Sequence, residues 1–156
     1  LTWQQVKHLA ATAPLPLECI VHGPLELMVS EYCALGSFLG DCGEKACSMP
    51  CVKGRYFLKD RKDVLFPLVT DQFCHMHVLN SRPLSMLPHA AAFGPAGIAR
   101  IRIEGKSMAA EEIAQTVAAY RSVLAMKEQE REDQAERIAR LEGENITRGH
   151  YFRGVE

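Results

Sequence analysis

The stretch "LECIVHG", residues 17 to 23, is a short apolar run that ends on a glycine. A run of this kind is typical of a strand buried on both faces, as in a parallel sheet, rather than of a half-exposed strand. Residues 2 to 11 precede it and place Val6, Leu9 and Ala10 on one face of a helix. The prolines of "APLPLE" end that helix. The chain therefore begins, in our prediction, with a helix followed by a buried parallel strand.

Further along, helical and strand patterns continue to alternate. Residues 34 to 54 carry glycines and a proline and are predicted to form neither helix nor strand. The later predicted elements are a hairpin in "RYFLKDRKDVLFPLVTD" (55–71), a strand in "MHVLN" (76–80), a helix in "PLSMLPHAAAF" (83–93), a strand in "IARIRIEG" (98–105) and a long helix capped by Ser107. This order favours an α/β fold with parallel strands.

Composition excludes several classes of protein. A chain of 156 residues with 47% apolar residues can bury one core, and its net charge of -1 creates no general attraction for nucleic acid or anionic membranes. No apolar run is long enough to cross a bilayer, which predicts a soluble protein without a membrane partner. The chain begins at Leu1 in a helical pattern already under way, so we expect sequence upstream of it.

The cysteines carry the strongest chemical signal. The segment "CGEKACSMPC", residues 42 to 51, has three thiols in ten positions, with Cys33 before it and Cys74 after it. Because the thiols are bunched in an irregular segment, a disulfide framework is disfavoured and a cytoplasmic metal site that supports the loop is favoured. An iron–sulfur cluster suits the uneven spacing, zinc is disfavoured because no C-x2-C pair is present, and unligated thiols are the third possibility.

Other catalytic arrangements find less support. His75 and His77 closely follow Cys74 in the sequence. Successive side chains of an extended segment face opposite ways, which disfavours a Cys–His nucleophile there. The zinc-protease motif H-E-x-x-H, the serine-hydrolase motif G-x-S-x-G and a glycine-rich phosphate loop are all missing from the sequence. Arg100 and Arg102 are candidates for contact with an anionic substrate.

Five segments together resemble peptidase family U32, the collagenase-like proteins: "ECIVHGPLELMVSEYC", "CSMPC", "YFLKDRKDVLFPLVTDQFCHMHVLNSRPLSML", "GIARIRIEGK" and "TRGHYFRGV". The resemblance covers nearly the whole chain apart from residues 127 to 142. It implies the carboxy-terminal part of a TIM-type barrel, a partial barrel of parallel strands with outer helices, whose first part lies upstream. Residues 1–126 would form this part, with a cysteine-rich loop and hairpin inserted at 33–74, a polar helical extension at 127–144 and a tail at 145–156.

The same resemblance implies a function and a set of site residues. Some members are similar to oxygen-independent hydroxylation factors that modify RNA or a ubiquinone precursor and hold a four-iron four-sulfur cluster. Carried onto this chain, the ligands would be Cys33, Cys47, Cys51 and Cys74, with Cys42 as a substitute for the last. The candidate catalytic residues are His22, Glu26, Asp60 and Asp71.

Three functions follow as hypotheses. The first is an iron–sulfur protein that supports hydroxylation of an RNA base or similar substrate. The second is a collagenase-like peptidase acting on peptide substrates, and the third is a binding module with a structural cluster or zinc site. In each case the remainder of the barrel, supplied by the upstream region, is the expected structural partner.

Overall fold

The computed structural model describes residues 1–40, 46–106, 108–134, 137–138, 140 and 145–152. The strands are β1 (Glu18–Gly23), β2 (Glu26–Ser30), β3 (Tyr56–Lys59), β4 (Leu65–Thr70), β5 (Met76–Leu79), β6 (Leu84–Ser85) and β7 (Arg100–Ile103). The helices are α1 (Trp3–Thr12), α2 (Ala34–Leu39), α3 (Ala110–Ala125), α4 (Glu128–Asp133) and α5 (Gly149–Phe152), with 3₁₀ segments at Pro50–Val52 and Leu87–Ala92. The fold is therefore mixed α/β.

The chain divides into two compact units. The first contains residues 1–23 and 82–156, and the second contains residues 24–81. The first unit has a three-stranded sheet in the order β6-β1-β7, and the second has a four-stranded sheet in the order β2-β5-β4-β3. Each unit therefore has a sheet of its own.

The first unit begins with the predicted helix and strand, although Leu9 of the predicted apolar face is exposed. Thr2 and Gln5 form a reciprocal capping box that starts α1, and Val6 is the residue of this helix that becomes buried. β1 then pairs in parallel with β7 and antiparallel with β6. β1 ends at Gly23, where a Cβ atom would collide with the carbonyl oxygen of Glu104, so only glycine allows this close approach.

Aromatic and aliphatic side chains fill the core of the first unit. The ring of Phe93 packs edge-on against Trp3 and Tyr151, at centroid distances of 4.9 and 5.6 Å. The apolar side chains that are almost completely buried in this unit include Val21, Leu84, Met86, Leu87, Phe93 and Val123. α3 packs against the 3₁₀ segment Leu87–Ala92 and contributes Val123 to this core.

The second unit is an antiparallel sheet, and the β3–β4 hairpin forms one edge of it. Tyr56 pairs with Leu68 and Lys59 with Leu65 across β3 and β4, which confirms the hairpin predicted from residues 55–71. β5 lies between β4 and β2, and its Met76 and Val78 side chains are buried on one face of the sheet. The strand predicted at residues 76–80 is thus present, but its neighbours are antiparallel.

Two local predictions are wrong for identifiable reasons. Residues 34–39 form a helix, because the sulfur of Cys33 accepts a hydrogen bond from the Gly36 amide and caps its first turn. Residues 83–93 do not form an α-helix: Leu84 and Ser85 pair with β1, and Pro88 lies in the 3₁₀ segment that follows. Proline lacks the N–H that an α-helix interior requires.

The larger architecture also differs from the expectation. Among the described strands, parallel pairing is confined to β1 and β7, and those strands do not close into a barrel. The long helix predicted after residue 107 ends at Ala125, because Met126 takes an extended conformation, and α4 follows as a separate helix. The predicted cap Ser107 lies outside the described residues. No described helix is long and apolar enough to cross a membrane.

Candidate metal centre and acid–base cluster

Two cysteine sulfurs of the second unit approach the same point on α2. Cys33 lies at the start of α2, and Cys47 lies in the loop that follows it. A Cβ atom on Gly36 would lie 3.5 Å from the sulfur of Cys33 and 3.4 Å from the sulfur of Cys47. The two sulfurs can therefore be no farther apart than the sum of those two distances.

Backbone amides and glycines surround these sulfurs. The sulfur of Cys33 accepts a hydrogen bond from the Gly36 amide (3.3 Å), and that of Cys47 accepts one from the Met49 amide (3.4 Å). A Cβ atom on Gly40 would lie only 2.9 Å from the Cys47 sulfur, and the Ser48 amide bonds to the Gly40 carbonyl at 2.9 Å. Glycine at these positions leaves the space beside the sulfurs open.

The other two predicted ligands belong to the same unit. Cys51 is half-buried in the 3₁₀ segment Pro50–Val52, which contacts α2. Cys74 is exposed in a turn, with a positive φ of 64° and its amide bonded to the Asp71 carbonyl (3.1 Å). The substitute ligand Cys42 lies outside the described residues.

The fifth described cysteine, Cys19, belongs to the first unit rather than the second. Cys19 lies on β1, and burial raises the pKa of its thiol, although a hydrogen bond with Tyr151 acts in the opposite direction. All five described cysteines are free of disulfide bonds. Cys19 is therefore a suitable control for the four described cysteines of the second unit.

The described cysteines supply thiols, the type of ligand that an iron–sulfur cluster uses. In the described part of the chain, no three His, Cys, Asp or Glu side chains are placed to hold one metal ion. An iron–sulfur cluster joins cysteine thiolates through several irons, and amide hydrogen bonds to sulfur help to set its potential. The converging sulfurs, their amide donors and the open glycine positions are compatible with such a group.

A second group of polar side chains lies on β2, β5 and the turn between β4 and β5. The Nδ1 atom of His77 is 2.5 Å from a Glu26 carboxylate oxygen, and its Nε2 atom is 3.6 Å from an Asp71 carboxylate oxygen. The same Asp71 oxygen is 2.9 Å from Nδ1 of His75. His77 is thus flanked by two carboxylates. We call Glu26, Asp71, His75 and His77 the acid–base cluster.

Sheet register explains how Glu26 reaches His77. Glu26 is paired with Leu79 on β5, and His77 lies two residues before Leu79 on the same face. The turn then brings Asp71 to this face, because its Oδ1 atom accepts hydrogen bonds from the Phe73 and His75 amides, both 2.9 Å long.

Asp71 is held in its ionised form. Desolvation acts to raise the pKa of its carboxyl group, but the amide and ring hydrogen bonds of His75, the Phe73 amide and the charge of His75 lower that pKa to about 2. A fixed carboxylate beside an imidazole orients the ring. Glu26 and Asp71 therefore hold the His77 ring from two sides, an arrangement suited to general acid–base chemistry.

The other two predicted catalytic residues lie elsewhere. His22 is at the end of β1 in the first unit, with its ring centroid 5.8 Å from that of Tyr120. Asp60 lies in the β3–β4 turn, where its Oδ1 atom accepts hydrogen bonds from the Lys62 and Val64 amides at 2.7 and 2.9 Å. The structure therefore brings Glu26 and Asp71 together through His77, and it gives Asp60 a local role in the hairpin.

Of the two arginines on β7, Arg102 is engaged with carboxylates. Arg102 lies 3.4 Å from a Glu18 oxygen and 3.7 Å from a Glu104 oxygen. These partially exposed ion pairs compensate one of the two charges that the sequence suggested for an anionic substrate, and Arg100 is exposed on the same strand.

Sequence reasoning missed two parts of this site. It considered the histidines only as bases for Cys74, whereas the structure joins them to Glu26 and Asp71. The available signal was their spacing, since residues two apart in an extended segment share a face. Gly36 and Gly40 were also missed, because the sequence does not show which thiol they face.

One comparison with known proteins, the match to a family model, supports the resemblance to family U32. No curated protein and no solved structure gives a significant match to this chain. The family model "Peptidase family U32" matches residues 1–156, that is, the whole chain. The chain therefore belongs to peptidase family U32.

Proposed function

We propose that this chain is an iron–sulfur protein that supports oxygen-independent hydroxylation of an RNA base or a similar ring. The observation that carries the proposal is the approach of the Cys33 and Cys47 sulfurs to a common point at Gly36. Membership of family U32 supports it, because the resemblance implies a four-iron four-sulfur cluster in related hydroxylation factors. The β1–β7 parallel pair would belong to a barrel completed by the upstream region.

The proposed ligands are Cys33, Cys47, Cys51 and Cys74. Cys33 caps α2, Cys51 lies in the 3₁₀ segment Pro50–Val52, Cys74 lies in a turn and Cys47 lies in a loop. The Gly36 and Met49 amides donate hydrogen bonds to the sulfurs of Cys33 and Cys47, and such bonds to ligand sulfurs tune a bound cluster. Cys74 is the ligand with the least support from contacts, and Cys42 remains its substitute.

When bound, the cluster would supply electron transfer, which the side chains of this protein cannot provide. Replacing a ring C–H by C–OH is a two-electron oxidation, so the reaction also requires a two-electron acceptor, which we propose is an oxygen-atom donor that is reduced by two electrons as it gives up its oxygen. The chain's own contribution would be proton handling by His77, held by Glu26 and Asp71.

Anaerobic purification tests the cluster directly. We expect a broad absorption band at about 400 nm, together with iron and acid-labile sulfide bound to the chain. Cys47→Ser should abolish most of the band, whereas Cys19→Ser should retain it, because Cys19 lies in the first unit. A colourless protein that binds neither iron nor sulfide after cluster reconstitution would overturn the proposal.

Peptide hydrolysis is the second candidate, favoured by the acid–base cluster. A histidine flanked by carboxylates can act as a general base, but the amide donors to Cys33 and Cys47 are not the imidazole partner that a nucleophilic thiol requires. The test is cleavage of a collagen-like peptide by protein freed of iron. Cleavage that survives iron removal but is lost in His77→Gln would favour the peptidase.

A further inference from the structure

A cavity of about 600 Å³ lies within the first unit, between the ends of β1 and β6 and one face of α3. This volume is in the range of small-molecule sites, about 300–1,000 Å³. All of its lining residues come from residues 1–23 and 82–156. We propose that this cavity binds a small, unphosphorylated amino-substituted nitrogen heterocycle.

Apolar groups supply the walls of the cavity. Pro83 and Leu87 line it from the segments around β6, and Ala119 and Ile146 add small or aliphatic surface. The ring of Tyr120 forms part of the lining and is itself fixed, because its hydroxyl group donates to the Val21 carbonyl (2.8 Å) and accepts from the Met86 amide (3.1 Å). A flat, largely apolar body is the shape that such walls accommodate.

Hydrogen-bonding groups are concentrated on α3. Glu112, Gln115 and Thr116 line the cavity, and Ala119 continues the same face one turn later. The carboxylate of Glu112 is an acceptor only, so it favours ligand N–H donors, whereas Gln115 and Thr116 can both donate and accept. This combination fits a heterocycle that carries an exocyclic amino group beside ring nitrogens.

The charge of the lining selects against phosphate. Among the described residues that line the cavity, no lysine or arginine is present, Glu112 contributes a negative charge, and His22 contributes an imidazole. An anionic group would face this carboxylate without a permanent cation to compensate, at a cost in binding free energy. A single carboxylate is also too few ligands for Mg²⁺ or Ca²⁺.

The proposal is independent of the iron–sulfur centre. The four proposed cluster ligands belong to residues 24–81, and the cavity belongs to the first unit. Loss of the cluster in Cys47→Ser should therefore leave ligand binding in place. Each proposal can fail while the other stands.

Isothermal titration calorimetry of the protein with adenosine and with AMP tests the inference. We expect saturable binding of adenosine and at least tenfold weaker binding of AMP, because its phosphate introduces negative charge near Glu112. No saturable adenosine binding, or AMP binding as tight as that of adenosine, would overturn the proposal.

Matched variants locate the binding site. Glu112→Ala should weaken adenosine binding about tenfold, as expected for the loss of a charge-assisted hydrogen bond. Glu111→Ala, which changes a neighbouring exposed carboxylate of the same helix turn outside the cavity lining, should leave it unchanged. Equal effects of the two variants, or none from Glu112→Ala, would contradict the assignment.

A second pair of variants covers the case in which Glu112→Ala does not fold. Ala119→Leu should fill the cavity and reduce adenosine binding, whereas Ala114→Leu, on an exposed part of α3 outside the lining, should not. Circular dichroism establishes that each variant is folded. Unchanged adenosine binding in folded Ala119→Leu would overturn the proposal.

Discussion

The hydroxyl group of Tyr120 donates a hydrogen bond to the carbonyl oxygen of Val21, 2.8 Å away and 99 residues earlier in the sequence. Both residues are almost completely buried, so this bond joins α3 to the central strand of the first sheet. The same hydroxyl accepts the Met86 amide (3.1 Å), which adds the segment after β6 to the connection. One side chain therefore links three separate parts of the first unit.

Removing this hydroxyl should destabilise the first unit. In Tyr120→Phe the buried Met86 amide and Val21 carbonyl lose the hydroxyl but still bond to each other (2.9 Å). We therefore expect a loss of about 1 kcal/mol in the free energy of unfolding, as for the removal of a net hydrogen bond. Urea denaturation followed by circular dichroism measures this loss. Tyr32→Phe is the control, because Tyr32 is 60% exposed and should change stability little. Equal stability of the two variants would contradict the prediction.

Crowding the Cys47 sulfur should disturb the proposed cluster. A Cβ atom in Gly40→Ala would lie 2.9 Å from that sulfur and 2.6 Å from the Gly36 carbonyl oxygen, so the loop must shift. We expect less iron bound per chain after anaerobic reconstitution than in the wild type. Gly94→Ala is the control, since its Cβ atom would meet nothing within 4 Å. Full iron loading of Gly40→Ala would show that this loop does not hold the metal.

Stability should fall at acidic pH as Asp71 becomes protonated. Because its pKa is about 2 in the folded chain, below the ordinary value of 3.8, the folded state binds the proton less readily than the unfolded state. The stabilising contribution is therefore complete above pH 3.8 and is lost as the pH falls toward 2.

Denaturation curves between pH 5 and pH 2 (roughly the window of this linkage) check the role of Asp71. Asp71→Asn should show a flatter dependence of stability on pH than the wild type. His75→Ala keeps the two amide hydrogen bonds to the Asp71 carboxylate but removes the bond from the His75 ring. We therefore expect its dependence of stability on pH to lie between those of the wild type and Asp71→Asn. Identical slopes in the wild type and Asp71→Asn would rule out this carboxyl group as the cause.

Asp60 should behave as a turn residue in a pair of substitutions. Asp60→Asn keeps an oxygen that can accept the Lys62 and Val64 amides, whereas Asp60→Ala removes it. We expect Asp60→Ala to lose about 1 kcal/mol of stability and Asp60→Asn to lose less. Chemical denaturation measures both. A loss of hydroxylation or peptide cleavage in a fully stable Asp60→Asn would instead restore Asp60 as a catalytic residue.

Local patterns in the sequence predicted several elements because their causes are local. The helix at Trp3–Thr12 follows from a capping box and two prolines, and the β3–β4 hairpin follows from two apolar runs around a charged turn. The run "LECIVHG" correctly predicted a strand with a parallel neighbour, β7, but β6 on its other side is antiparallel and only Val21 and Gly23 of β1 are buried. Family membership was also predictable, since it depends on several motifs along the chain.

Other elements depended on partners that are distant in sequence. Leu84 and Ser85 joined β1 rather than a helix, and the predicted strand at β5 entered an antiparallel sheet. Periodicity reports which residues are buried but not which strand covers them. The division into two units likewise results from long-range pairing.

The sequence by itself determined α1, β1, the β3–β4 hairpin and the supply of thiols and histidines, because short-range backbone preferences and composition decide them. Only the tertiary structure decided that Cys33 and Cys47 face one glycine, and that Glu26 meets His77 across 51 residues. The physical reason is that such contacts depend on strand register and loop path, which are set by the packing of the whole unit.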